Sequence, residues 1–237
     1  MLARVATRGA DPDDVARRAI ADRALELLSP GMTIGLGSGR AVWALVEAIG
    51  ARWPREMPLR AAVASSETEA AARGAGIAIA EPDEALDLAL DGADEIDPAL
   101  GLLKGGGGAL LREKLLVRGA ARFVVIAQAS KRVERLGQRF PLPVEVVRFG
   151  WRATRRALLD LLPTAEPRLG AGGEPLVTEE GNVLLDCALP AQGDFGELAK
   201  AIKVEVGVVE HGLFLGMADV ALLGHPDGRV EEMSRER

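Results

Sequence analysis

Apolar runs of three to five residues alternate with longer amphipathic segments along the first half of the chain. Strands are predicted at residues 32–36, 60–64, 77–79, 86–90 and 123–127. Helices are predicted at residues 13–28, 40–52 and 109–121, with another that begins near residue 65. The strands are apolar at nearly every position, which is typical of a parallel sheet whose two faces are both covered by helices. The predicted fold class is therefore α/β, with a Rossmann-like parallel sheet.

The order of elements changes near Gly137. Strands are predicted near residues 143–148, 166–169, 183–189 and 206–210, with helices at 151–162 and 194–203. This β-α-β-β-α-β order predicts a smaller ferredoxin-like α+β domain. A last apolar run, residues 218–223, resembles one more strand of the first sheet.

These patterns together predict the domain organisation. We expect a Rossmann-like catalytic domain formed by residues 1–136 and 211–237, with residues 137–210 as an inserted ferredoxin-like domain. Within the first part, residues 1–12 are interpreted as a loose leader before the helix that Asp11 caps.

Composition excludes several classes of protein. Lys and Arg total 29 against 35 Asp and Glu, and a net charge of −6 argues against a nucleic-acid partner. No apolar run approaches the ~18 residues that a membrane span requires, and no secretory signal is visible. The single cysteine, Cys187, lies in an apolar run and is predicted to be a buried strand residue. A lone cysteine also fits a reducing compartment, so we expect a cytoplasmic protein.

A glycine-rich loop, Gly35-Leu36-Gly37-Ser38-Gly39, joins a predicted strand to a predicted helix. Backbone N–H groups at a helix N-terminus can hold a phosphate. The loop matches neither the dinucleotide fingerprint nor the P-loop, because Arg40 follows it instead of glycine or lysine. A tight turn without a ligand therefore remains an alternative.

Two further segments combine charged side chains with glycines. Asp91-Gly92-Ala93-Asp94-Glu95 follows a strand directly, so Asp91 and Asp94 are predicted to face the crevice. A turn aspartate or a metal ligand is the alternative for each. Lys104 precedes four consecutive glycines, and their cost in backbone entropy favours an anion-binding loop.

Glu113 has only apolar neighbours one helical turn away, and such surroundings suit a general base. Helical spacing does not distinguish it from Arg112 or Lys114, so on this pattern alone Glu113 is interpreted as a surface glutamate. Lys131 follows a strand and is either a crevice residue or a solvated lysine. The chain's two histidines, His211 and His225, lack spaced partners, which argues against a zinc site.

Several segments, taken in order, resemble the ribose 5-phosphate isomerase A family. They are residues 91–95, 104–107, 112–114, 129–131, 140–146 and 212–224. The resemblance implies a cytoplasmic enzyme of the pentose phosphate pathway that interconverts ribose 5-phosphate and ribulose 5-phosphate through an enediolate. It further implies a homodimer or homotetramer that needs no metal and no organic cofactor.

The same resemblance implies roles for individual residues. Glu113 would be the general base, and Asp91, Asp94 and Lys104 would surround the sugar hydroxyls. The implied substrate-binding residues are Ser38, Gly39, Arg40, Ala41, Gly92, Ala93, Gly105, Gly106, Gly107 and Lys131.

The chain departs from the family pattern at a few positions. The family loop usually reads Gly-Thr-Gly-Ser-Thr, whereas Arg40 and Ala41 end the loop here. We predict that Arg40 partly replaces the missing hydroxyl by pairing with the substrate phosphate. Arg17 stands where the family commonly has lysine. Leu215 and Met217, or their neighbours, replace an asparagine-arginine pair often found in the last segment.

Two other functions stay open at this point. A sugar-phosphate sensor of the same fold would keep the pocket without turnover, but it would have no need of Glu113. An acyl-CoA transferase-like enzyme would use a glutamate as nucleophile, but the chain is short for that class and shows no site for CoA.

Overall fold

The structure is a computed structural model that describes residues 11–235. The helices in this range are α1 (Pro12–Leu25), α2 (Arg40–Arg52), α3 (Ser66–Gly74), α4 (Leu110–Gly119), α5 (Trp151–Leu158) and α6 (Phe195–Val204), with a 3₁₀ turn at Ala129–Lys131. The strands are β1 (Thr33–Leu36), β2 (Arg60–Val63), β3 (Ala78–Ile79), β4 (Leu88–Asp91), β5 (Glu95–Ile96), β6 (Leu102–Leu103), β7 (Phe123–Gln128), β8 (Leu142–Val146), β9 (Thr164–Pro167), β10 (Val183–Ala188), β11 (Val208–His211), β12 (Leu213–Phe214), β13 (Val220–Gly224) and β14 (Val230–Ser234).

The main sheet has the strand order β14-β13-β7-β4-β1-β2-β3. Its strands run parallel except for β14, which pairs antiparallel with β13. Leu88 and Leu90 of β4 pack in the same cluster as α1 and α2, while Ala89 between them packs with Val117 of α4. Because side chains alternate across a strand, these helices cover opposite faces of the sheet. The predicted Rossmann-like parallel sheet is confirmed.

The order in which the chain adds strands to this sheet changes direction once, at β1. From β1 the chain crosses to β2 on one side, and it later returns to β4 on the other side of β1. In a doubly wound sheet the loops after two such strands diverge and leave a crevice at the carboxyl edge. The loops that follow β1 and β4 begin at Gly37 and Gly92, so the topology places both glycine-containing turns at this crevice.

A second sheet has the order β11-β8-β10-β9, and all of its neighbouring strands are antiparallel. With α5 and α6 as its connections, it has the predicted ferredoxin-like arrangement. Its core includes Cys187, which is fully buried in β10 as predicted. The sheet runs from Leu142 to His211, one residue beyond the predicted insertion, and the boundary at 137–210 stays a prediction.

A third sheet, β12-β6-β5, was not predicted because each of its strands is only two residues long and shows no periodicity. It lies where the chain leaves the second sheet. The Gly212 N–H donates to the Pro143 carbonyl at 2.8 Å, and the Gly212 carbonyl accepts from the Lys104 N–H at 2.9 Å. A Cβ at Gly212 would lie 2.1 Å from the Lys104 carbonyl oxygen, so only glycine allows this approach.

The structure describes only part of the N-terminal segment that was predicted to be a loose leader. Residues 1–10 of the predicted leader lie outside the described residues, and α1 begins at Pro12. The carboxylate of Asp11 accepts from the Asp13 N–H at 3.0 Å, which is the predicted cap. Between residues 11 and 235, no helix is long and apolar enough to cross a membrane.

Candidate active site

A cavity of about 200 Å³ opens at the crevice between the ends of β1 and β4. It brings together residues that are far apart in the chain. Its walls are formed by Ser38, Gly39, Arg40, Ala41, Gly92, Ala93, Asp94, Lys104, Gly105, Gly106, Gly107, Glu113, Ile126, Ala127, Gln128 and Lys131. Every predicted site residue therefore lines this cavity except Asp91, which is buried directly behind it.

The loop after β1 is shaped around the carboxylate of Asp91. A Cβ at Gly37 would lie 1.8 Å from the carboxylate carbon of Asp91, so no side chain fits at this position. The N–H groups of Ser38 and Gly92 donate to the same oxygen, Asp91 Oδ1, at 3.2 and 2.7 Å. The Ser38 N–H, predicted to be available to an anion, is thus directed at a carboxylate of the protein.

Lys104 lies between the carboxylates of Asp91 and Glu113. Its Nζ is 2.8 Å from Asp91 Oδ2 and 3.1 Å from Glu113 Oε2, and all three side chains are buried. Its hydrogen bond goes elsewhere, to the Gly92 carbonyl at 2.6 Å. The ring of Phe214 lies below the ammonium, 5.5 Å from Nζ.

Two oxygens of this group have no hydrogen-bond donor. Asp91 Oδ2 and Glu113 Oε2 are buried, and among the described residues neither accepts a hydrogen bond. The Lys104 ammonium compensates their charge from 2.8 and 3.1 Å. Buried acceptors are almost always satisfied in folded proteins, so these two oxygens suit a ligand with hydroxyl groups.

Burial and the neighbouring charges shift the pKa values of Asp91 and Lys104. Burial, followed by the nearby Glu113 carboxylate, raises the pKa of Asp91 from 3.8 to about 7, although Lys104 opposes the shift. Burial alone would lower the pKa of Lys104, but Asp91 and Glu113 together raise it above its ordinary value. The lysine therefore stays protonated, and Asp91 can hold a proton near neutral pH.

Glu113 is not the surface residue that its helical neighbours indicated. Only 4% of it is exposed, and its Oε1 accepts from the Ser38 hydroxyl at 2.6 Å. Both polar partners, Ser38 and Lys104, come from other elements. The interpretation from spacing was wrong because the partners of Glu113 are not on its own helix.

The glycine loop after Lys104 holds the second carboxylate, Asp94. The Gly106 N–H donates to Asp94 Oδ2 at 2.8 Å, and a Cβ at Gly106 would lie 2.7 Å from Asp94 Oδ1. Gly105 and Gly108 have φ values of 106° and 89°, which favour glycine. The Gly107 N–H donates to no group of residues 11–235 and belongs to the wall of the cavity.

Arg40 and Lys131 supply positive charge to the cavity. Arg40 is the first residue of α2, and the Lys131 ammonium lies 4.9 Å from the centre of the Phe140 ring. Neither forms an ion pair with a carboxylate in the part of the chain that the structure describes. The two cations and the N-terminus of α2 therefore suit an anionic group.

A neighbouring cavity of about 300 Å³ shares Ser38, Gly39 and Gly107 with the first. Its charged lining residues are mostly acidic: Glu67, Glu145, Glu179 and Glu180 line it. Its one cation, Arg112, already pairs with Glu179 and Glu180. A phosphate would be repelled there, so the smaller cavity is the better site for an anion.

Several residues of the site were not foreseen. Glu95 is buried and accepts from the N–H groups of Gly137, Arg139 and Phe140, which fixes the segment that leads into the second sheet. The end of β7, through Gln128, lines the cavity, and the carboxyl-edge rule applied to this strand would have found it. In residues 11–235 no group of three or more His, Cys, Asp or Glu side chains could hold a metal ion.

A family model and curated relatives match this chain. Residues 61–228 match the model described as ribose 5-phosphate isomerase A (phosphoriboisomerase A). Ribose-5-phosphate isomerase A of Roseiflexus castenholzii is 49% identical over 223 residues, which cover 92% of this chain and 95% of the relative. The enzyme of the same name from Thermomicrobium roseum is 47% identical over 216 residues, with 90% and 91% covered.

Solved structures agree with these relatives. Ribose 5-phosphate isomerase A from Methanocaldococcus jannaschii superposes with a TM-score of 0.88 at 34% identity, covering 95% of this chain and all (100%) of that one. A D-ribose-5-phosphate isomerase in complex with phospho-erythronic acid superposes with a TM-score of 0.89 at 32% identity, covering 94% and 99%.

The raised pKa of Asp91 predicts how its replacement changes stability with pH. A carboxyl whose folded pKa lies above its unfolded value contributes stability below pH 3.8, and this contribution is lost as pH rises through about 7. Asp91→Asn has no such loss and leaves Lys104 paired with Glu113. Its stability relative to the parent protein should therefore be more favourable at pH 8 than at pH 5, measured by urea unfolding at both values.

The exposed Asp87, which precedes the same strand, offers a matched control. Asp87→Asn also removes one carboxylate, so it reports the general effect of the lost charge. A difference between Asp91→Asn and the parent protein that is the same at pH 5 and pH 8 would contradict the assignment.

Proposed function

The chain belongs to the ribose 5-phosphate isomerase A family, and on this basis we propose how its site interconverts ribose 5-phosphate and ribulose 5-phosphate. The protein is an aldose–ketose isomerase of the pentose phosphate pathway, which sets aside the sensor and transferase interpretations. In the proposed mechanism Glu113 moves a proton between C2 and C1 of the open-chain sugar, with an enediolate as the intermediate.

The observation that carries the role of Glu113 is its unsatisfied oxygen. Glu113 Oε2 is buried in the cavity wall and accepts no hydrogen bond from residues 11–235, whereas Oε1 is held by the Ser38 hydroxyl. One oxygen is thus fixed and the other is available to take a proton. In the proposed mechanism Oε2 reaches the proton next to the carbonyl group of the sugar, as general-base catalysis requires.

The charge of the enediolate needs stabilising groups that are already in place. Lys104 stays protonated between Asp91 and Glu113, and its Nζ is 3.1 Å from the oxygen that would take the proton. Gly107, whose N–H donates to no group of residues 11–235, lines the same cavity. We assign both groups to the developing negative charge, since fixed donors in a buried site need no rearrangement during the reaction.

The two aspartates are assigned to the sugar hydroxyls and to ring opening. Asp91 can hold a proton near neutral pH because burial raises its pKa, and its Oδ2 accepts no hydrogen bond from residues 11–235. It can therefore hold a proton directly behind the cavity that takes the sugar. Asp94 is held by the Gly106 N–H and lines the cavity, where it can accept a hydrogen bond from a hydroxyl group.

The phosphate is assigned to the end of the cavity that carries Arg40 and Lys131. The loop residues Ser38, Gly39 and Ala41 complete this end together with the N-terminus of α2. A similar isomerase is described in complex with phospho-erythronic acid, an anionic phosphate compound. Binding of the phosphate at this end would orient the reacting carbons at Glu113.

We also infer a homodimer or homotetramer in the cytoplasm, as the family resemblance implies. Several large apolar side chains in the connections next to the second sheet are exposed, among them Phe149 and Val206. Such a surface is typical of a contact between subunits.

Replacing the proposed base should abolish turnover without abolishing binding. Glu113→Gln keeps the shape of the side chain and its contact with Ser38 but cannot accept the proton. The variant should lose at least about 100-fold in kcat, since general-base catalysis contributes ~10²–10⁴-fold. Its affinity for ribose 5-phosphate should stay within a few-fold, and exchange of the C2 proton with deuterated water should stop.

Glu47→Gln on the exposed face of α2 is the matched control and should behave like the parent protein. If folded Glu113→Gln protein retains near-parental turnover, the base is another group, and Asp91 or Asp94 becomes the first candidate.

Removal of the cation at the start of α2 should weaken substrate binding. Arg40→Ala should raise KM at least about tenfold with a smaller change in kcat, because a charge-assisted hydrogen bond to phosphate is worth ~1.5–3 kcal/mol. Arg52→Ala, at the opposite end of the same helix, is the control in steady-state kinetics. An unchanged KM in Arg40→Ala would show that this side chain points to solvent.

Catalysis should not depend on a metal ion. The proposed steps use only a carboxylate, an ammonium and backbone N–H groups, so turnover after exhaustive dialysis against EDTA should equal that of untreated protein. Loss of turnover that a divalent ion restores would refute the mechanism.

A further inference from the structure

Arg168, in the second sheet's β9–β10 connection, makes contacts that the proposed mechanism does not use. Its Nε and Nη2 donate to the two carboxylate oxygens of Asp186 at 3.0 and 2.5 Å. This two-point contact fixes the plane of the guanidinium group. Both side chains are mostly buried, with 17% and 27% exposed.

The remaining edge of the same guanidinium contacts the glycine loop of the active site. Arg168 Nη1 donates to the carbonyl oxygens of Gly105 and Gly106 at 2.8 and 3.0 Å. Arg168 does not line the active-site cavity, although both glycines do. One side chain of the second sheet therefore holds two successive carbonyl groups of the catalytic loop.

The direction of these carbonyls fixes the direction of two N–H groups. In a trans peptide the C=O and N–H bonds point opposite ways, and the described residues contain no cis peptide. The Gly106 N–H, in the same peptide as the Gly105 carbonyl, donates to Asp94 Oδ2. The Gly107 N–H shares a peptide with the Gly106 carbonyl, so it points away from Arg168.

A run of glycines does not hold such an orientation by itself. Glycine has the widest range of backbone conformations, and residues 105–108 have no side chains of their own to restrict it. Within the loop, the Gly108 N–H donates to the Gly105 carbonyl at 3.1 Å, which leaves the peptide between Gly106 and Gly107 unfixed. Arg168 holds the carbonyl side of that peptide.

We propose that Arg168, held by Asp186, is a positioning residue that turns the Gly107 N–H toward the enediolate oxygens. This inference rests on the proposed isomerase mechanism and adds to it a residue of the second sheet. The arginine acts through the loop and does not contact the substrate. Its loss should affect the charged intermediate more than the bound sugar.

The test compares Arg168→Met with Arg155→Met. Arg155 lies in α5, where it donates to Glu166 and the Ala165 carbonyl of β9, away from the catalytic loop. Arg168→Met should lower kcat about 10–100-fold with KM within about threefold of the parent value, because misplaced groups in the transition state cost rate rather than binding. Arg155→Met should leave both constants near parental values.

Phospho-erythronic acid is a second probe, because its carboxylate carries negative charge as the enediolate does. Its inhibition constant should rise in Arg168→Met by about the factor that kcat falls, whereas KM for ribose 5-phosphate stays nearly constant. A merely structural role would weaken substrate and inhibitor alike. Equal weakening of both would therefore overturn the proposal.

Two milder variants give a result if Arg168→Met does not fold. Asp186→Asn leaves the arginine in place but loosens its orientation, and Arg168→Lys keeps the charge without the two-point contact. Both should show the same pattern with a smaller decrease in kcat. Parental kcat and inhibitor affinity in both variants would overturn the proposal.

The test of Arg168 as a positioning residue can be distinguished from the test of Glu113 as the general base. If Glu113→Gln loses turnover while Arg168→Met retains parental kcat and inhibitor affinity, the positioning role is wrong and the base stands. If Glu113→Gln retains turnover while Arg168→Met shows the expected pattern, the base is wrong and the positioning role stands.

Discussion

The burial of one ammonium group between two carboxylates constrains the rest of this structure. Lys104 is nearly inaccessible to water, and it faces Asp91 and Glu113 at 2.8 and 3.1 Å. Burying charged groups is costly unless each is compensated, and here two negative charges share one positive charge. Burial, followed by the excess negative charge, raises the pKa of Asp91, and among residues 11–235 two carboxylate oxygens have no hydrogen-bond donor. The site thus retains unsatisfied acceptors that a sugar with several hydroxyl groups can satisfy.

The surrounding backbone is shaped to make this burial possible. Gly37 has no room for a side chain because the Asp91 carboxylate occupies that space. Gly212 likewise allows its chain to approach the Lys104 carbonyl and ties the end of the second sheet to the lysine. Both glycines lie in segments that leave strands, β1 and β11, so the topology delivers them to the crevice. The strand order therefore determines where these two glycines lie, and the glycines make room for the buried charges of the active site.

The features of the fold and of the site that could be predicted are those that leave a pattern in a short stretch of sequence. Apolar strands predicted the parallel sheet, and the carboxyl-edge rule predicted that Asp91 and Asp94 face the crevice. Two-residue strands such as β5 and β12 have no periodicity and were missed. The burial of Glu113 was missed because its partners come from other elements, and the link from Arg168 to Gly106 spans 62 residues. Contacts of this kind depend on tertiary structure and leave no pattern in spacing.

The first turns of α4 explain why spacing could not select the base. Arg112, Glu113 and Lys114 are consecutive, and a helix turns ~100° per residue, so their side chains leave in three directions. Arg112 pairs with carboxylates of the β9–β10 connection, and Lys114 donates to Glu210 at 2.9 Å. Both cations bind α4 to the second sheet, while Glu113 alone turns to the cavity. The charged residues on either side of Glu113 therefore fix α4, the helix that carries the proposed base. The second sheet thus helps to hold the active site in place.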